Sequence, residues 1–308
     1  MSETAELYDA LRSRMDAYAR DAEGVYGGDV DALHRTRVAT RRLREVLPLL
    51  GLEGADVRRA RRRLKKVTRQ LGAVRELDAL ALMIHELSQD VRYSPTALKQ
   101  MRTAVEEARA AAAEQMASKL PHAKMQRLAR RLERVARQVE REGERTDGRR
   151  RPRESRRAWL WALEARAARR AARLRAAIEI AGAVYASVRL HDVRVALKRL
   201  RYTLELAADA RQPLASRDVA ALKTAQDLLG RLHDLELLIA RVRDEQVRLS
   251  PPTLAGWRDS GSLAHTLEDD CRALHARYMH HRTKLLAIAD RIGRASVAGA
   301  RASAVAAR

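Results

Sequence analysis

Histidine and arginine recur in two segments of the chain at spacings of three and four residues, which on a helix bring side chains to one face. The first set is His34, Arg37, Arg41 and Arg44, and the second is His191, Arg194, Lys198 and Arg201. At 100° per residue, each set covers a face about 80° wide. Guanidinium groups bind phosphate or carboxylate oxygens two at a time, and a protonated imidazole donates further hydrogen bonds. The spacing therefore predicts two helical faces that bind an anion.

The two segments follow one pattern. His34–Arg44 aligns without gaps on His191–Arg201, with seven of eleven residues identical. A second match follows in the same order: Leu64-Lys65, Leu71-Gly72 and Leu77 correspond to Leu222-Lys223, Leu229-Gly230 and Leu235. Two matches in one order predict an internal duplication of a helical unit.

Both faces lack acidic residues that would offset their charge. Like charges three or four residues apart on a helix repel by a few tenths of a kcal/mol, and Asp192, the one acid within the two segments, lies off the shared face. Two sources of neutralising charge stay open. One is an external ligand. The histidines either face this ligand or pack within the bundle, and in the second case the arginines alone bind it. The other is internal, from the downstream pairs Glu76 and Asp78, and Asp234 and Glu236.

A third basic face lies between Arg58 and Arg69, a segment with eight basic residues and no acid. Its members that share one helical face, which we call the outer stripe, are Arg58, Arg62, Lys65 and Arg69. The second segment keeps only Lys223 of this stripe and has Asp227 in the place of Arg69. Lys65 and Lys223 are the better candidates for binding because they recur.

The composition is that of a folded, strongly basic, helical protein. The 308 residues include 62 Lys and Arg against 40 Asp and Glu, a net charge of +22, and 46% are apolar. Only 14 Gly and 7 Pro occur, whereas Ala, Arg, Leu and Glu, which favour helices, are abundant. With 3% aromatic residues and no Phe, the chain is poorly suited to stacking the bases of single-stranded nucleic acid. We therefore expect an all-α protein with an anionic partner.

Other features bear on the cellular compartment and on cofactors. No apolar run reaches the length of a membrane span, the N-terminus is acidic and polar, and Cys271 is the single cysteine. We expect a cytoplasmic protein without membrane contact, cofactor or metal site.

The chain divides into two helical repeats, 1–142 and 158–292, with a basic linker at 143–157 and a flexible tail at 293–308. Gly72 and Gly230 predict helix ends, because glycine commonly terminates helices, and Pro251-Pro252 predicts a break. The expected helices are 3–21, 30–50, 55–72, 74–91 and 95–142 in the first repeat, and 156–188, 189–210, 214–230, 232–249 and 262–291 in the second.

The repeated element His-x-x-Arg-Val-Ala-x-Arg-Arg-Leu-Arg, present as His34–Arg44 and, with Lys198, as His191–Arg201, resembles the CHAD domain, the conserved histidine α-helical domain. The resemblance includes the downstream Leu-Lys and Leu-Gly positions and spans nearly the whole chain. It implies two antiparallel four-helix bundles, related by a pseudo-twofold axis, with a basic surface and central pore. It also implies binding of inorganic polyphosphate and association with polyphosphate granules. The polyphosphate-binding residues that it implies are His34, Arg37, Arg41, Arg42, Arg44, Lys65, His191, Arg194, Lys198, Arg199, Arg201 and Lys223. The outer stripe adds Arg58, Arg62 and Arg69 to these candidates.

Two other classes of function stay open. The net charge attracts the backbone of duplex DNA or RNA, so weak non-specific binding of nucleic acid is expected, although no DNA-reading motif is recognisable. A helical scaffold for a protein partner is the other class. Catalysis is not expected, because the one dyad typical of metal-dependent phosphohydrolases, His233-Asp234, falls at the repeat position of Arg75-Glu76. The sequence also has no glycine-rich phosphate loop and no Gly-x-Ser-x-Gly element.

Overall fold

The computed structural model describes residues 4–50, 52, 54–147, 152–209, 216–248 and 254–306, and the regular secondary structure within them is helical. The α-helices are α1 (Thr4–Ala22), α2 (Val30–Val46), α3 (Ala55–Leu87), α4 (Pro95–Lys119), α5 (His122–Asp147), α6 (Pro152–Ala181), α7 (Ser187–Asp209), α8 (Ser216–Arg248) and α9 (Leu254–Ala306). A short 3-10 helix, Leu47–Leu49, follows α2. The expectation of an all-α fold is confirmed.

Local signals explain where several helices begin. The Asp29 carboxylate caps α2 by accepting hydrogen bonds from the backbone N–H groups of Asp31 and Ala32, at 2.8 and 3.1 Å. Gly28, just before this cap, has φ of +77°, a left-handed conformation that favours glycine. The Ser94 hydroxyl accepts a hydrogen bond from the N–H of Ala97 at the start of α4. These caps fix the entries of two helices into the first bundle.

The helices pack into two antiparallel bundles. In the first half of the molecule, α1, α2, α3 and α5 pack side by side, and α4 packs on α3; in the second half, α6, α7, α8 and α9 pack together. Helix α9, with 53 residues, contacts both α6 and α8 and so takes the place that α4 and α5 share in the first half. The halves meet where α2 contacts α7, α3 contacts α8, and α4 contacts α9 and α8.

Two apolar cores hold the bundles, and each contains residues from both halves. The larger core lies around the N-terminal parts of α3 and α8, and the smaller one around their C-terminal parts. Fully buried members of the larger core include Leu43, Leu64, Leu71, Leu197 and Leu222, and those of the smaller include Leu80, Ile84, Leu238, Leu263 and Leu267. Helices α3 and α8 therefore run through both cores.

Several helix boundaries differ from the expectation; for example, the helix expected over 156–188 ends at Ala181. The prediction that helices end at Gly72 and Gly230 is wrong, because α3 and α8 continue through both positions. Leu71, Val74 and Leu77 are buried at helical spacing, and their packing outweighs the cost of about 1 kcal/mol that a glycine imposes within a helix. The prediction of one helix over 95–142 is also wrong. Helix α4 ends at Lys119 and is capped by Leu120, because Pro121 has no N–H to continue the hydrogen-bond ladder.

The described helices extend into the segments that were expected to be a linker and a tail. Helix α5 extends into the predicted linker to Asp147, α6 begins within it at Pro152, and α9 continues through most of the segment 293–308 to Ala306. The predicted break at Pro251-Pro252 lies outside the described residues. The limits of the two repeats, and their origin by duplication, stay predictions. Among the described helices, none combines the length and the apolarity needed to cross a bilayer.

Candidate anion-binding site

Packing of α2 determines which way its basic face points. On the side of α2 opposite its basic face, Thr36, Ala39, Leu43 and Val46 are buried against the first bundle, the usual arrangement of an amphipathic helix. The Thr40 hydroxyl donates to the backbone carbonyl of Arg37 at 2.8 Å and lies 3.2 Å from the Thr68 hydroxyl of α3. With this side held by α1 and α3, the basic face of α2 turns toward α7 and the second half.

Four basic side chains, two from each half, meet at this boundary: Arg37 and Arg41 of α2, and Arg194 and Lys198 of α7. We call them the central basic cluster. All four are half-buried. Arg41 Nη1 donates to the Tyr202 hydroxyl of α7 at 3.3 Å, a direct link between the halves.

The cluster is held at an electrostatic cost. Burial, followed by the charges of Arg194, Arg41 and Arg37, lowers the pKa of Lys198 to about 7. Burial and the charge of Arg41 lower the pKa of Arg37 to about 10, and burial also lowers the pKa of Arg194. Each charge therefore disfavours its neighbours when no anion lies between them.

Internal carboxylates leave part of this charge unmatched. In the part of the chain that the structure describes, no member of the cluster has a carboxylate oxygen within 4.0 Å. The Nε atoms of Arg37 and Arg194, and Nη1 of the nearby Arg75, are buried and have no hydrogen-bond acceptor. Buried donors of this kind are rare in folded proteins, because each costs about 1 to 3 kcal/mol. The open donors and the surplus charge make this cluster a candidate site for an anion.

The four downstream acids of the internal explanation have other roles. Arg109 of α4 donates to the buried Asp78 carboxylate at 2.6 Å. Glu236 accepts a hydrogen bond from the Tyr185 hydroxyl at 2.8 Å. Asp234 lies near Arg194 without an ion pair, and burial raises the pKa of its carboxyl group. Glu76 is exposed. Asp234 and Glu76 nevertheless favour the charged form of Arg194 without an ion pair, so these acids offset the charge of the cluster only in part.

The two repeated histidines lie beside the cluster, each next to the residue at one equivalent position of α3 or α8. Arg75 Nε donates to His34 Nδ1 at 3.2 Å, and the ring of His191 lies 4.9 Å from that of His233. Burial lowers the pKa of both His34 and His191, with further contributions from Arg75 at His34 and from His233 at His191. Both shifts favour the neutral form of the rings. Because His34 Nδ1 accepts, its Nε2 carries the proton and is available to donate.

The other predicted residues divide into an exposed group and one that is already satisfied. The exposed group comprises Arg42, Arg44, Arg58, Arg62, Lys65, Arg69, Arg199 and Lys223. Arg201 is internally paired instead. It forms an ion pair with Glu205, donates to Gln226 at 2.9 Å, and lies 4.9 Å from the centre of the Tyr202 ring. Arg201 therefore supports α7 and Tyr202 rather than the cluster.

The sequence interpretation missed Tyr202, Arg75 and Gly72. Arg75 could have been found, because it precedes the acidic pair at the position of His233. A Cβ atom on Gly72 would lie 3.8 Å from Arg37 Nε, so the guanidinium of Arg37 lies over this glycine. Tyr202 lines a cavity of about 300 Å³ with Arg42, Glu45 and Glu205, and no local pattern predicts its contact with Arg41.

Fold and site together define an all-α protein in which two helical bundles bring unpaired cations to their common boundary. The sequence pattern of the CHAD domain matches residues 9–243. The chain belongs to the CHAD domain family.

Two solved structures have the same fold. The crystal structure of the CHAD domain from the plant Ricinus communis is 21% identical, with a TM-score of 0.57 over 91% of this chain and 92% of that one. PptA from Streptomyces chartreusis is 17% identical, with a TM-score of 0.56 over 96% of this chain and 99% of that one. No curated protein sequence matched the chain.

Proposed function

We propose that the protein binds inorganic polyphosphate at the central basic cluster. The observation that carries the proposal is the convergence of Arg37, Arg41, Arg194 and Lys198 without a carboxylate partner, together with the buried open donors of Arg37 and Arg194. A ligand with closely spaced negative charges removes the mutual repulsion and fills these donors in one step. Membership of the CHAD family supports the choice of polyphosphate.

Burial of the cluster favours a thin polyanion over a nucleic acid duplex. The Nε atoms of Arg37 and Arg194 are buried, and Lys198 is half-buried. A duplex is a stiff rod that is contacted through exposed side chains along its grooves and backbone. A single chain of phosphates can follow the boundary between α2 and α7 and reach recessed donors. Duplex DNA is expected to bind only weakly, through the exposed arginines.

The neighbouring residues have distinct roles in this proposal. Arg37, Arg41, Arg194 and Lys198 neutralise the phosphates and donate to their oxygens. His34 and His191 donate from the edge of the cluster as neutral rings. Tyr202 positions Arg41 through its hydroxyl. The protein acts by binding and not by catalysis, and it is expected in the cytoplasm on polyphosphate granules.

The test is a titration with long-chain polyphosphate and with duplex DNA at equal phosphate concentration and physiological salt. The cluster variant is R37A/R41A/R194A/K198A, and the matched control, R102A/R127A/R173A/R277A, removes four exposed arginines elsewhere. We expect tighter binding of polyphosphate than of DNA by the wild-type protein. The cluster variant should lose at least about 100-fold in polyphosphate affinity, and the control less than about threefold, because exposed charges contribute only a screened attraction.

Two results would overturn the proposal: equal or tighter binding of DNA, or a cluster variant that keeps its polyphosphate affinity. Circular dichroism of both variants checks that the helices remain. Free phosphate measured after incubation with polyphosphate should not rise, and a steady release would contradict the non-catalytic role. A fluorescently tagged protein should form foci in cells that hold polyphosphate and stay diffuse in cells without it.

A further inference from the structure

The outer stripe on α3 is a second basic surface without internal partners. Arg58, Arg62, Lys65 and Arg69 are all exposed. Within the described segments, none of them has a carboxylate oxygen within 4.0 Å. The acid nearest in sequence, Asp56, instead lies 3.4 Å from Arg131 and 3.1 Å from Arg134 of α5. The stripe is therefore a row of free cations.

The stripe leads directly to the central basic cluster. At 100° per residue, its four members span about 60° of α3, and Gly72 lies within about 20° of the same face. The guanidinium of Arg37 lies over Gly72, as the 3.8 Å from a Cβ at that glycine to Arg37 Nε indicates. From Arg58 to Gly72 the helix rises about 21 Å. One continuous basic path thus runs from the N-terminal part of α3 into the cluster.

The second half offers no such path along α8. The residues at the positions of Arg58, Arg62, Lys65 and Arg69 are Ser216, Ala220, Lys223 and Asp227. Asp227 is exposed, so it places a negative charge where the stripe has Arg69. A Cβ atom on Gly230 would have no neighbour within 4 Å, so no guanidinium covers this glycine. Of these two helices, only α3 carries an unbroken row of cations that leads to the cluster.

We infer that a phosphate chain that fills the central basic cluster continues along the outer stripe of α3 and not along α8. The ligand class is consequently a linear polyphosphate longer than the cluster itself, held in a one-sided footprint. This inference rests on the proposed function. Short chains bind the cluster alone, whereas long chains also release counterions from the stripe and gain affinity.

The experiment compares tripolyphosphate with polyphosphate of several tens of phosphates in three proteins. The stripe variant is R58A/R62A/R69A. The control, R59A/R63A/K66A, removes the same charge from exposed positions on a neighbouring face of the same helix. We expect the stripe variant to bind long chains about tenfold more weakly and tripolyphosphate less than twofold more weakly. Its salt dependence for long chains should fall by about 0.7 in log–log slope for each phosphate that the stripe no longer neutralises. The control should change either affinity less than threefold.

A gain of function tests the other side. The variant A220R/D227R gives α8 two of the three cations that it lacks, and both positions are exposed. Its affinity for long chains should rise several-fold, while that for tripolyphosphate should stay unchanged.

Equal weakening of long chains by the stripe and control variants would overturn the inference, because the effect would then follow net charge alone. Equal weakening of long and short chains by the stripe variant would overturn it as well. In both cases the proposed function survives, provided that the cluster variant still abolishes binding. Absence of any polyphosphate binding by the wild-type protein would instead remove the proposed function.

Discussion

The two halves of the molecule contribute equally to the central basic cluster and differ in several of the helices and charges around it. The first half supplies Arg37 and Arg41, and the second supplies Arg194 and Lys198 from the same positions of α7. Around them, α4 and α5 are separate helices where α9 is continuous, and the outer stripe has no counterpart on α8. The positions that match between the halves form the central basic cluster, and the positions that differ make its surroundings on α3 unlike those on α8.

The largest expected contrast between the halves concerns the acids after the two glycines. Asp78 is 2% exposed and accepts from Arg109 at 2.6 Å, whereas Glu236 in the second half accepts from the neutral Tyr185 hydroxyl. Arg109→Leu leaves a buried carboxylate without its cation and should lower the free energy of unfolding by about 2 to 3 kcal/mol, since Arg109 itself is partly exposed. Tyr185→Phe should lower it by about 1 kcal/mol.

Urea denaturation measures both changes. Arg102→Leu, at an exposed position of the same helix α4, serves as the control and should be close to neutral. Equal destabilisation by Arg109→Leu and Tyr185→Phe would contradict the assigned difference between the two acids.

The second contrast is between Lys198 and its counterpart Arg41. Burial and the charges of Arg194, Arg41 and Arg37, opposed by Asp234, lower the pKa of Lys198 to about 7. Above that pH the ligand-free protein loses the proton, and a bound polyanion favours its return. Affinity for polyphosphate should therefore fall several-fold from pH 7 to pH 8.5, by at most about tenfold per pH unit for one group. Lys198→Arg should flatten this profile, because arginine stays protonated.

Dissociation constants for polyphosphate, measured at fixed ionic strength between pH 7 and pH 8.5, test this prediction. Burial lowers the pKa of His34 and of His191 in the ligand-free protein, and both histidines are present in wild type and in Lys198→Arg, so the difference between the two profiles isolates Lys198. The stability of the ligand-free protein depends on pH in the opposite direction to the affinity. The unfolded chain keeps the Lys198 proton up to its ordinary pKa of about 10.5, so the stability of the free protein rises with pH above 7. An identical pH profile for wild type and Lys198→Arg would contradict the assignment.

The smallest contrast concerns the two glycines within α3 and α8. Gly230→Ala should stabilise the protein by about 0.5 to 1 kcal/mol, because alanine favours a helix and its Cβ meets nothing within 4 Å. Gly72→Ala should stabilise it similarly. A larger side chain separates the two positions: Gly72→Leu displaces the Arg37 guanidinium and should weaken polyphosphate binding about threefold, whereas Gly230→Leu should leave binding unchanged. Thermal unfolding and titration measure the two effects, and equal loss of affinity at both sites would remove the special position of Gly72.

The helical class and the basic faces were predictable because both follow from periods within one helix. The orientation of α2 was also predictable, since Ala39, Leu43 and Val46 lie opposite the basic face and are buried. Helix ends were harder to predict. The glycine signal at Gly72 is local, and burial of the residues on either side outweighs it.

The partners of the site residues depend on contacts between elements distant in sequence. Nothing near Arg41 indicates that Tyr202, 161 residues away, accepts its hydrogen bond. Nothing near Asp78 indicates that Arg109 neutralises it while Arg37 stays unpaired. Which arginine is satisfied and which is open depends on how the bundles meet, and a helical wheel carries no information on that.

Because both apolar cores contain residues of the two halves, neither half is expected to fold when it is expressed alone. A fragment that ends after α5 would leave Leu80 and Ile84 without Leu238 and Leu267, and the other fragment would have the reverse defect. Each fragment would expose a leucine-rich apolar surface to the solvent, and such surfaces promote aggregation. The two repeats of the sequence are therefore not two modules that can be purified singly, and the smallest workable preparation holds both.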